Sequence, residues 1–455
     1  MTGVQTCALP ISQKNFEEMY YYRWWTLRKH IKETPVGYGM TEFLVNRSYA
    51  DKYNLIACAI GHHIYESRWL RNPEYLNQII HTWYRGNEGG PMAKMTKFSS
   101  WNADAVLGRY MVDGNKEFLL DMVKDLEAEY ARWEKTNRLP NGLYWQGDVQ
   151  DGMEESISGG RRKQYARPTI NSYMYGNAKA LSLIGIMTGD EGMAMKYGLK
   201  ADSIKTLVQD KLWNTDHHFF ETMRGDASAE VREAIGYIPW YFNLPDASSK
   251  YTVAWKEVMD EKGFSAPYGL TTAERRHPEF RTHGVGKCEW DGAIWPFASA
   301  QTLTAMANFM NNYPQTVLTD SVYFHQMERY VESQHHRGRP YIGEYLDEVT
   351  GYWLKGDQER SRYYNHSTFN DLMITGLIGL RPRMDNTVEV NPLIPEGKWD
   401  YFCLDNVLYH GRNLTILWDK DGSRYQRGKG LHIYVDGKEV GHADTLTRVL
   451  CENVL

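Results

Sequence analysis

Two acidic stretches, far apart in the chain, contain the side chains best suited to chemistry. The first, WQGDVQDGMEESISG, is a glycine-flanked loop, and the second, RPYIGEYLDEVTGYW, ends in a turn signal. Their carboxylates are Asp148, Asp151, Glu154, Glu155, Glu344, Asp347 and Glu348. Glycosidic hydrolysis needs one carboxylic acid to protonate the leaving oxygen and one carboxylate to activate water or attack. Many globular proteins have two acidic loops, so the spacing alone is not specific.

Aromatic side chains form the second candidate feature. Aromatics make up 13% of the chain, with 15 Trp and 32 Tyr. They fit either large packed helices or a cleft in which sugar faces stack on rings. The candidate wall residues are Trp101, Trp145, Tyr173, Trp240, Trp290, Trp295 and His366. Asp291, between two tryptophans in EWDGAIWP, is a candidate sugar contact or a helix N-cap, and Asn171 in RPTINSY is a candidate N-cap.

Helices must position most of these residues. About a dozen segments before Leu380 show apolar residues at helical spacing, many of them as hairpins with a short glycine turn such as VDGN or MTGD. Long loops rich in Gly or Pro separate the hairpins, and such loops in a compact domain are usually functional. The pattern predicts a helical catalytic domain over residues 13–380.

The last part of the chain has a different pattern. From Arg381 to Leu455, apolar and polar residues alternate, and HGRN, DKDG and a final Asp-Gly pair mark turns. We expect a small C-terminal β-sandwich domain over residues 381–455. Helical hairpins followed by such a domain suggest an (α/α)6 barrel with a β appendage.

The first twelve residues, MTGVQTCALPIS, have an unusual origin by our interpretation. Reverse-translated, they resemble an adapter oligonucleotide used in short-read sequencing. They also lack a charged n-region, helical spacing and strand alternation. We therefore expect residues 1–12 to take no part in the fold. We also expect the natural chain to begin further upstream, with a β-sandwich that packs on the barrel and an export signal in the missing segment.

Several motifs resemble, in the same order, those of glycoside hydrolase family 63, which includes bacterial α-glucosidases and mannosylglycerate hydrolase-like enzymes. DGMEESISG resembles the SGMDNS-type loop of that family, and GEYLDEVTG resembles its ENYDPxTG segment. FSSWNADA, RPTINSYMYGNAKAL, GYIPWYFNLPD, YGLTTAERRHPEF and CEWDGAIWPFASAQTL resemble further segments. The resemblance covers about Phe98 to Leu380, and the tail GLRPRMDNTVEVNPLIP resembles the β-domain that closes many (α/α)6 glycosidases.

The resemblance implies an inverting glycosidase without a dissociable cofactor. It places the general acid at Glu154, where the family usually has aspartate, and the general base at Glu344. It also implies that Trp101 and Asn171 line the sugar pocket. The expected reaction releases a sugar from the non-reducing end of a small glycoside. An α-glucoside is the leading substrate, and an α-mannoside, an α-L-rhamnoside or an L-arabinofuranoside remains open.

Three other functions compete with this interpretation. The histidines in GHH, QHH and YYNHS are candidates for a metal site or for the acid and base of a sugar epimerase; they are His62, His63, His335, His336 and His366. Adjacent histidines on a helix diverge by about 100°, so His62 and His63 are poorly placed for one ion. A polysaccharide lyase and a non-catalytic sugar-binding protein are the remaining alternatives, and the latter would lose one of the two glutamates.

Composition excludes some partners. The net charge of −5, without a basic block, argues against a nucleic-acid binder. No apolar run approaches the roughly 18 residues of a membrane span. None of the five cysteines forms a C-x-x-C pair, so we expect free thiols and no metal site. The expected partner is a carbohydrate, the expected compartment is periplasmic or extracellular, and the oligomeric state is left open.

Overall fold

The structure is a computed structural model that describes residues 6–455. Twelve α-helices lie within these residues, all before Leu380. They are α1 (Lys14–His30), α2 (Ile60–Ser67), α3 (Glu74–Arg85), α4 (Asn102–Asp113), α5 (Lys116–Asn137), α6 (Pro168–Thr188), α7 (Glu191–Leu207), α8 (Ile238–Tyr241), α9 (Ser249–Thr252), α10 (Pro296–Asn312), α11 (Asp320–Ser333) and α12 (Asn370–Leu372). None of them is long and apolar enough to cross a membrane.

Two helical hairpins form at the predicted breakers. Helix α4 ends at Gly114, which has a left-handed φ of 67°, and the side chain of Asn115 caps α5 by accepting the N–H of Phe118. Helix α6 ends in the same way at Gly189, with φ 75°, and Asp190 caps α7. Glycine adopts this conformation without a steric penalty, and the next residue satisfies a free N–H of the following helix. Both hairpin predictions are confirmed.

Short strands between the helices shape the loops. They are Ile31–Thr34, Gly37–Met40, Trp145–Gln146, Tyr165–Ala166, Trp213–Asn214, Phe219–Phe220, Met223–Arg224, Ala227–Ser228, Ser265–Ala266, Gly269–Leu270, His335–His336 and Arg339–Pro340. Four of them form one small antiparallel sheet in which Tyr165–Ala166 lies between Trp145–Gln146 and Met223–Arg224. This sheet closes the ends of the long loop between α5 and α6.

The end of the chain is a small strand domain. Tyr401–Tyr409, Arg412–Asp419, Gly430–Val435 and Lys438–Ala443 form a four-stranded antiparallel sheet in sequence order. Leu380–Arg381, Val388–Val390 and Val449–Cys451 form a three-stranded sheet. The HGRN and Asp-Gly turns connect strands as predicted, because Tyr409 pairs with Arg412 and Val435 with Lys438.

The helical part and the strand domain share one apolar core. Trp399 packs edge-on against Phe16 of α1 at 5.4 Å and against Phe324 of α11 at 5.8 Å between ring centroids. All three side chains are buried. The strand domain is therefore fixed to α1 and α11 by aromatic packing, which adds to the stabilisation from buried area.

The expectation that residues 1–12 take no part in the fold is wrong for residues 7–12. Cys7, Leu9 and Ile11 are buried, and Ala8 exchanges two backbone hydrogen bonds with Asp405 at 3.1 and 2.9 Å. Alternate residues thus point into the core, which is the strand period that the sequence analysis overlooked. Residues 1–5 lie outside the described part of the chain.

Candidate active site

The first acidic loop is held together by three of its own carboxylates. Asp148 accepts the backbone N–H of Arg161 at 3.0 Å. Asp151 forms a fully buried ion pair with Arg167 at 2.8 Å, directly before α6. Glu155 pairs with Arg161 on the same loop. One carboxylate of the stretch takes part in none of these contacts.

Glu154 is that carboxylate. It is half-buried, and among residues 6–455 it forms no ion pair. Its Oε1 accepts a hydrogen bond from the Cys288 thiol at 3.3 Å. Burial raises the pKa of Glu154, and the nearby negative charge of Glu344 raises it further. A carboxyl group with a raised pKa can carry a proton at neutral pH, as a general acid must.

Glu344 lies within electrostatic range of Glu154 but in a different environment. It is 5% exposed, and its Oε2 pairs with Arg360 at 2.7 Å and with Lys355 at 3.5 Å. Its backbone N–H donates to the hydroxyl of Ser361 at 3.3 Å. The side chain is therefore held by two cations and the backbone by a third contact, which fixes the carboxylate in one orientation.

The other carboxylates of the second acidic stretch are used elsewhere. Asp347 accepts the N–H groups of Val349 and Thr350 at 3.1 and 2.8 Å and so closes its own turn. Glu348 pairs with Arg281 at 2.6 Å. Each acidic stretch thus contributes one glutamate to a pair whose charges interact. The catalytic roles that the sequence analysis gave to these two glutamates stay predictions.

A third carboxyl group, Glu42, completes the cluster. Its Oε1 accepts the Tyr364 hydroxyl at 2.5 Å, and its buried Oε2 has no partner among residues 6–455. Burial raises the pKa of Glu42 to about 8, and the charges of Glu344 and Glu154 add to this. Sequence reasoning missed Glu42 because it is the one acidic residue between Glu33 and Asp51, with no acidic neighbour to mark it.

Aromatic rings enclose the carboxylates on one side. Trp290 stacks on Trp295 at 4.4 Å and meets Tyr345, the neighbour of Glu344, edge-on at 5.0 Å. His366 packs on Tyr364 at 4.0 Å, and burial lowers the pKa of His366 well below its usual range. The rings are buried, whereas Glu154 is half-buried. Apolar walls around converging polar groups are typical of a sugar site.

The comparisons with known proteins agree with this chemistry. Residues 52–367 match the family described as mannosylglycerate hydrolase MGH1-like glycoside hydrolase domain. The chain belongs to this glycoside hydrolase family. Residues 380–442 match the C-terminal domain of glycosyl hydrolase family 65. The resemblance noted in the sequence is therefore confirmed.

Solved structures show the same relationship. A protein named sialidase is 83% identical over 99% of this chain with a TM-score of 0.98, and the chain spans 42% of that protein's length. The GH63 mannosylglycerate hydrolase of Thermus thermophilus, in complex with glucose, is 12% identical and covers 78% of this chain and 99% of its own, with a TM-score of 0.58. The GH78 family rhamnosidase of Bacillus sp. GL1 is 9% identical over 92% of this chain and 41% of its own, with a TM-score of 0.63. The last two show a shared fold alone.

Three aromatic residues expected in the sugar pocket belong to the core of this MGH1-like domain. Trp240 is 0% exposed and packs against Phe220 and Trp255 at 5.4 Å. Trp101 is also 0% exposed and packs against Tyr173 at 4.7 Å. The hydroxyl of Tyr173 accepts a hydrogen bond within the core, from Gln301. These contacts place the three side chains in the interior, and their role as sugar contacts stays a prediction.

The two polar candidates of the MGH1-like domain, Asn171 and Asp291, form hydrogen bonds with backbone groups. Asn171 is inside α6 and is no N-cap; its side chain accepts the N–H of Tyr144 and donates to the carbonyl of Tyr144, both at 2.8 Å. Asp291 accepts the N–H groups of His283 and Gly284 at 2.9 and 2.8 Å, and α10 begins later, at Pro296. The N-cap interpretation is wrong for both, and both stabilise loops through these hydrogen bonds to the backbone.

The remaining wall candidates fall in two places. Trp290, Trp295 and His366 lie with the carboxylates, as described above. Trp145 is half-buried in the strand that pairs with Tyr165–Ala166, at the end of the first acidic loop. Its role as a sugar contact stays a prediction.

The histidine alternatives find no common site in the MGH1-like domain. The ring of His62 packs between Trp101 and Phe297, whereas His63 Nε2 contacts the carbonyl of Asn365 at 2.8 Å. Among residues 6–455, one group of ligand-type side chains converges, and it contains none of the histidines selected from the sequence. This group is His217, Glu221 and Glu230, whose polar atoms already contact one another.

Proposed function

We propose that the chain is an inverting, exo-acting glycosidase built on an (α/α)6 barrel. Residues 13–380 form the catalytic domain and residues 381–455 the accessory β-domain. Glu154 is the general acid, and Glu344 is the general base that activates water. Trp290, Trp295 and His366 contact the sugar. The substrate is a small glycoside or oligosaccharide.

One observation supports this assignment most strongly. Of the seven carboxylates in the two acidic stretches, Glu154 combines a raised pKa with the absence of any ion pair within residues 6–455. Its acidic neighbour Glu344 has two cationic partners, Arg360 and Lys355. Two carboxyl groups in contrasting environments are the arrangement that separates an acid from a base.

The reaction follows from these positions. Glu154 donates its proton to the glycosidic oxygen as the bond to the anomeric carbon breaks. Glu344 takes a proton from a water molecule, which attacks the anomeric carbon from the opposite face. Arg360 and Lys355 hold Glu344 in place, and the rings of Trp290 and Trp295 support the apolar face of the sugar. The product has the opposite anomeric configuration to the substrate.

The sugar is the least defined part of the proposal. We propose an α-glucoside first, with α-mannoside, α-L-rhamnoside and L-arabinofuranoside as alternatives. An α-sialoside joins this panel because the 83% identical protein is named sialidase. The chain spans less than half of that protein, so its name describes a longer molecule than the chain itself.

The test is hydrolysis of this panel followed by proton NMR within the first minutes. The first-formed anomer of the released sugar reports the mechanism before mutarotation mixes the two forms. An inverted anomer from one member of the panel, lost in the Glu344→Gln variant, is the expected result. A retained anomer would make Glu344 a nucleophile instead of a base. Hydrolysis that persists in Glu344→Gln would remove that residue from the mechanism.

A further inference from the structure

Three consecutive buried residues, Thr41, Glu42 and Phe43, contact the chain segment that follows the second acidic stretch. They come directly after the strand Gly37–Met40. The carbonyl of Thr41 accepts the side-chain amide of Asn365 at 3.1 Å, and the carbonyl of Glu42 accepts the backbone N–H of Asn365 at 3.0 Å. Two hydrogen bonds therefore join these three residues to the end of that segment.

The same segment is joined to Glu344 at its other end. The N–H of Tyr364 donates to the carbonyl of Ile342 at 3.2 Å, two residues before Glu344. The N–H of Glu344 donates to Ser361 Oγ at 3.3 Å, and the guanidinium of Arg360 pairs with Glu344 Oε2 at 2.7 Å. The segment therefore connects the three buried residues with the proposed base.

Two side chains of the buried group contact the same segment. Glu42 Oε1 accepts the hydroxyl of Tyr364 at 2.5 Å. The ring of Phe43 packs edge-on against the ring of Tyr364 at 4.4 Å, and the guanidinium of Arg360 lies over the ring of Phe43 at 5.5 Å. Tyr364 also packs on His366, one of the aromatic rings of the candidate site, at 4.0 Å. Glu42 and Phe43 thus contact both Tyr364 and the arginine that pairs with the proposed base.

The charge of Glu42 differs from that of a paired carboxylate. Within residues 6–455 Glu42 forms no ion pair, whereas Arg360 pairs with Glu344. Burial raises the pKa of Glu42 to about 8 against the opposing effect of the Tyr364 hydrogen bond, and the negative charges of Glu344 and Glu154 add to the rise. At pH 7 the neutral form of Glu42 therefore predominates, and Arg360 is left to Glu344. The titratable groups around Glu42 are Tyr49, Cys58, Glu154, Glu344, Arg360 and Tyr364.

We propose that Glu42 is a positioning residue for Glu344 and acts, as a neutral hydrogen-bonding group, through Tyr364 and Arg360. This inference rests on the proposed function, which makes Glu344 the base. Glu42 fixes the hydroxyl of Tyr364, the ring of Tyr364 stays against Phe43, and Arg360 stays beside Glu344. Misplacing a reacting group by about 1 Å can cost about 10²-fold in rate.

The first experiment compares the kinetics of Glu42→Ala and Glu42→Gln at pH 6, with 4-nitrophenyl glycosides of the panel sugars as substrates. We expect Glu42→Ala to lower kcat by about tenfold or more with little change in KM, because the base is misplaced and the sugar contacts remain. Glu42→Gln has the shape of the neutral acid and should keep the wild-type kcat. Glu33→Gln, which changes an exposed glutamate of the strand Ile31–Thr34, is the matched control.

Crystal structures of the variants provide a second measurement that does not depend on turnover. We expect the distance between Arg360 and Glu344 to exceed about 4 Å, the limit of an ion pair, in Glu42→Ala. In Glu42→Gln the pair should remain as in the wild type. If the wild type hydrolyses no member of the panel, the proposed function fails, and the structures still decide whether Glu42 positions Glu344.

The outcomes separate the two proposals. An unchanged Arg360–Glu344 pair in Glu42→Ala would overturn the inference, whatever the kcat of that variant. Equal losses in Glu42→Gln and Glu42→Ala would also overturn it, because the negative charge and not the neutral group would then be required. A lost pair with wild-type kcat would remove Glu344 from the mechanism, which is a failure of the proposed function. If Glu42→Ala does not fold, Tyr364→Phe, which deletes the hydroxyl bonded to Glu42, replaces it in both measurements.

Discussion

The two acidic loops have similar compositions and opposite environments. The first loop, residues 148–155, uses Asp148, Asp151 and Glu155 to hold its own backbone and arginines, and it leaves Glu154 without a cation among the described residues. The second, residues 344–348, ties Asp347 and Glu348 to a turn and to Arg281. It leaves Glu344 between Arg360 and Lys355.

This difference shows how a fold assigns two roles to one residue type. An isolated glutamate beside a half-buried thiol is favoured as a neutral acid, whereas a glutamate held by two cations is fixed in one orientation. The loops differ in partners and not in the chemistry of their carboxyl groups. Exchanging or removing the partners should therefore change the roles in a measurable way.

The largest effect is expected for Glu344→Gln. Loss of the general base should lower kcat by about 10²–10⁴-fold, whereas sugar binding stays largely intact because the amide keeps the shape of the side chain. Steady-state kinetics and calorimetry with the sugar released from the active panel member measure the two quantities. Glu348→Gln, which changes a carboxylate paired with Arg281, is the matched control. Equal losses in the two variants would show that stability, and not the base, was affected.

A smaller and more selective effect is expected for Glu154→Gln. An aryl glycoside with a good leaving group needs little protonation, so it should lose much less activity than a glycoside with an alkyl alcohol as leaving group. The ratio of kcat/KM for the two substrates in each variant measures this. Glu155→Gln is the control, since that residue pairs with Arg161. Uniform loss on both substrates would argue against Glu154 as the acid.

Glu42→Gln should change the pH dependence of stability. Glu42 titrates at about 8 in the folded chain and near 4.5 when unfolded. Between these values the unfolded chain releases a proton that the folded chain retains, so rising pH removes stability across this window. The unfolding temperature of the wild type should fall more than that of Glu42→Gln from pH 5 to 8. Glu396→Gln, which changes an exposed glutamate, is the control and should show the same pH dependence of the unfolding temperature as the wild type. If Glu42 were ionised over the whole pH range, Glu42→Gln would also show the wild-type pH dependence.

The smallest effect is expected for Cys288→Ala. The Cys288 thiol donates to Glu154 Oε1 and so lowers the pKa of Glu154. Activity requires protonated Glu154, so kcat/KM falls as pH rises through its pKa. Removing the thiol should move this basic limb to higher pH, as a pH profile of kcat/KM will record. Cys403→Ala, which changes a thiol of the strand domain, is the control and should leave the basic limb at its wild-type pH. If the limb also stays in place in Cys288→Ala, the Cys288 thiol does not influence the pKa of the catalytic acid.

Local signals in the sequence predicted much of the helical part. The hairpins at Gly114 and Gly189 depend on a left-handed residue and a cap, and both are encoded by adjacent residues. The strands after Leu380 follow from alternation and turn chemistry in the same way. Residues 7–11 show that alternation was also present where it was overlooked.

The candidate site was predictable in part. Glu154 and Glu344 each lie in an acidic stretch, so composition and motif both marked them. Glu42 is a lone acidic residue, and no short-range pattern distinguishes it from a solvated one. Trp240 was assigned to the pocket from residue type and Asn171 from the family resemblance, but ring packing and two backbone hydrogen bonds place them in the interior.

By itself the sequence determined the glycoside hydrolase family, the order of helices and strands, and the two acidic stretches, because each depends on neighbouring residues or on motif order. Only the tertiary structure decided which carboxylates meet, which have cationic partners, and that Glu42 joins them. Burial and charge are properties of three-dimensional neighbours from distant segments.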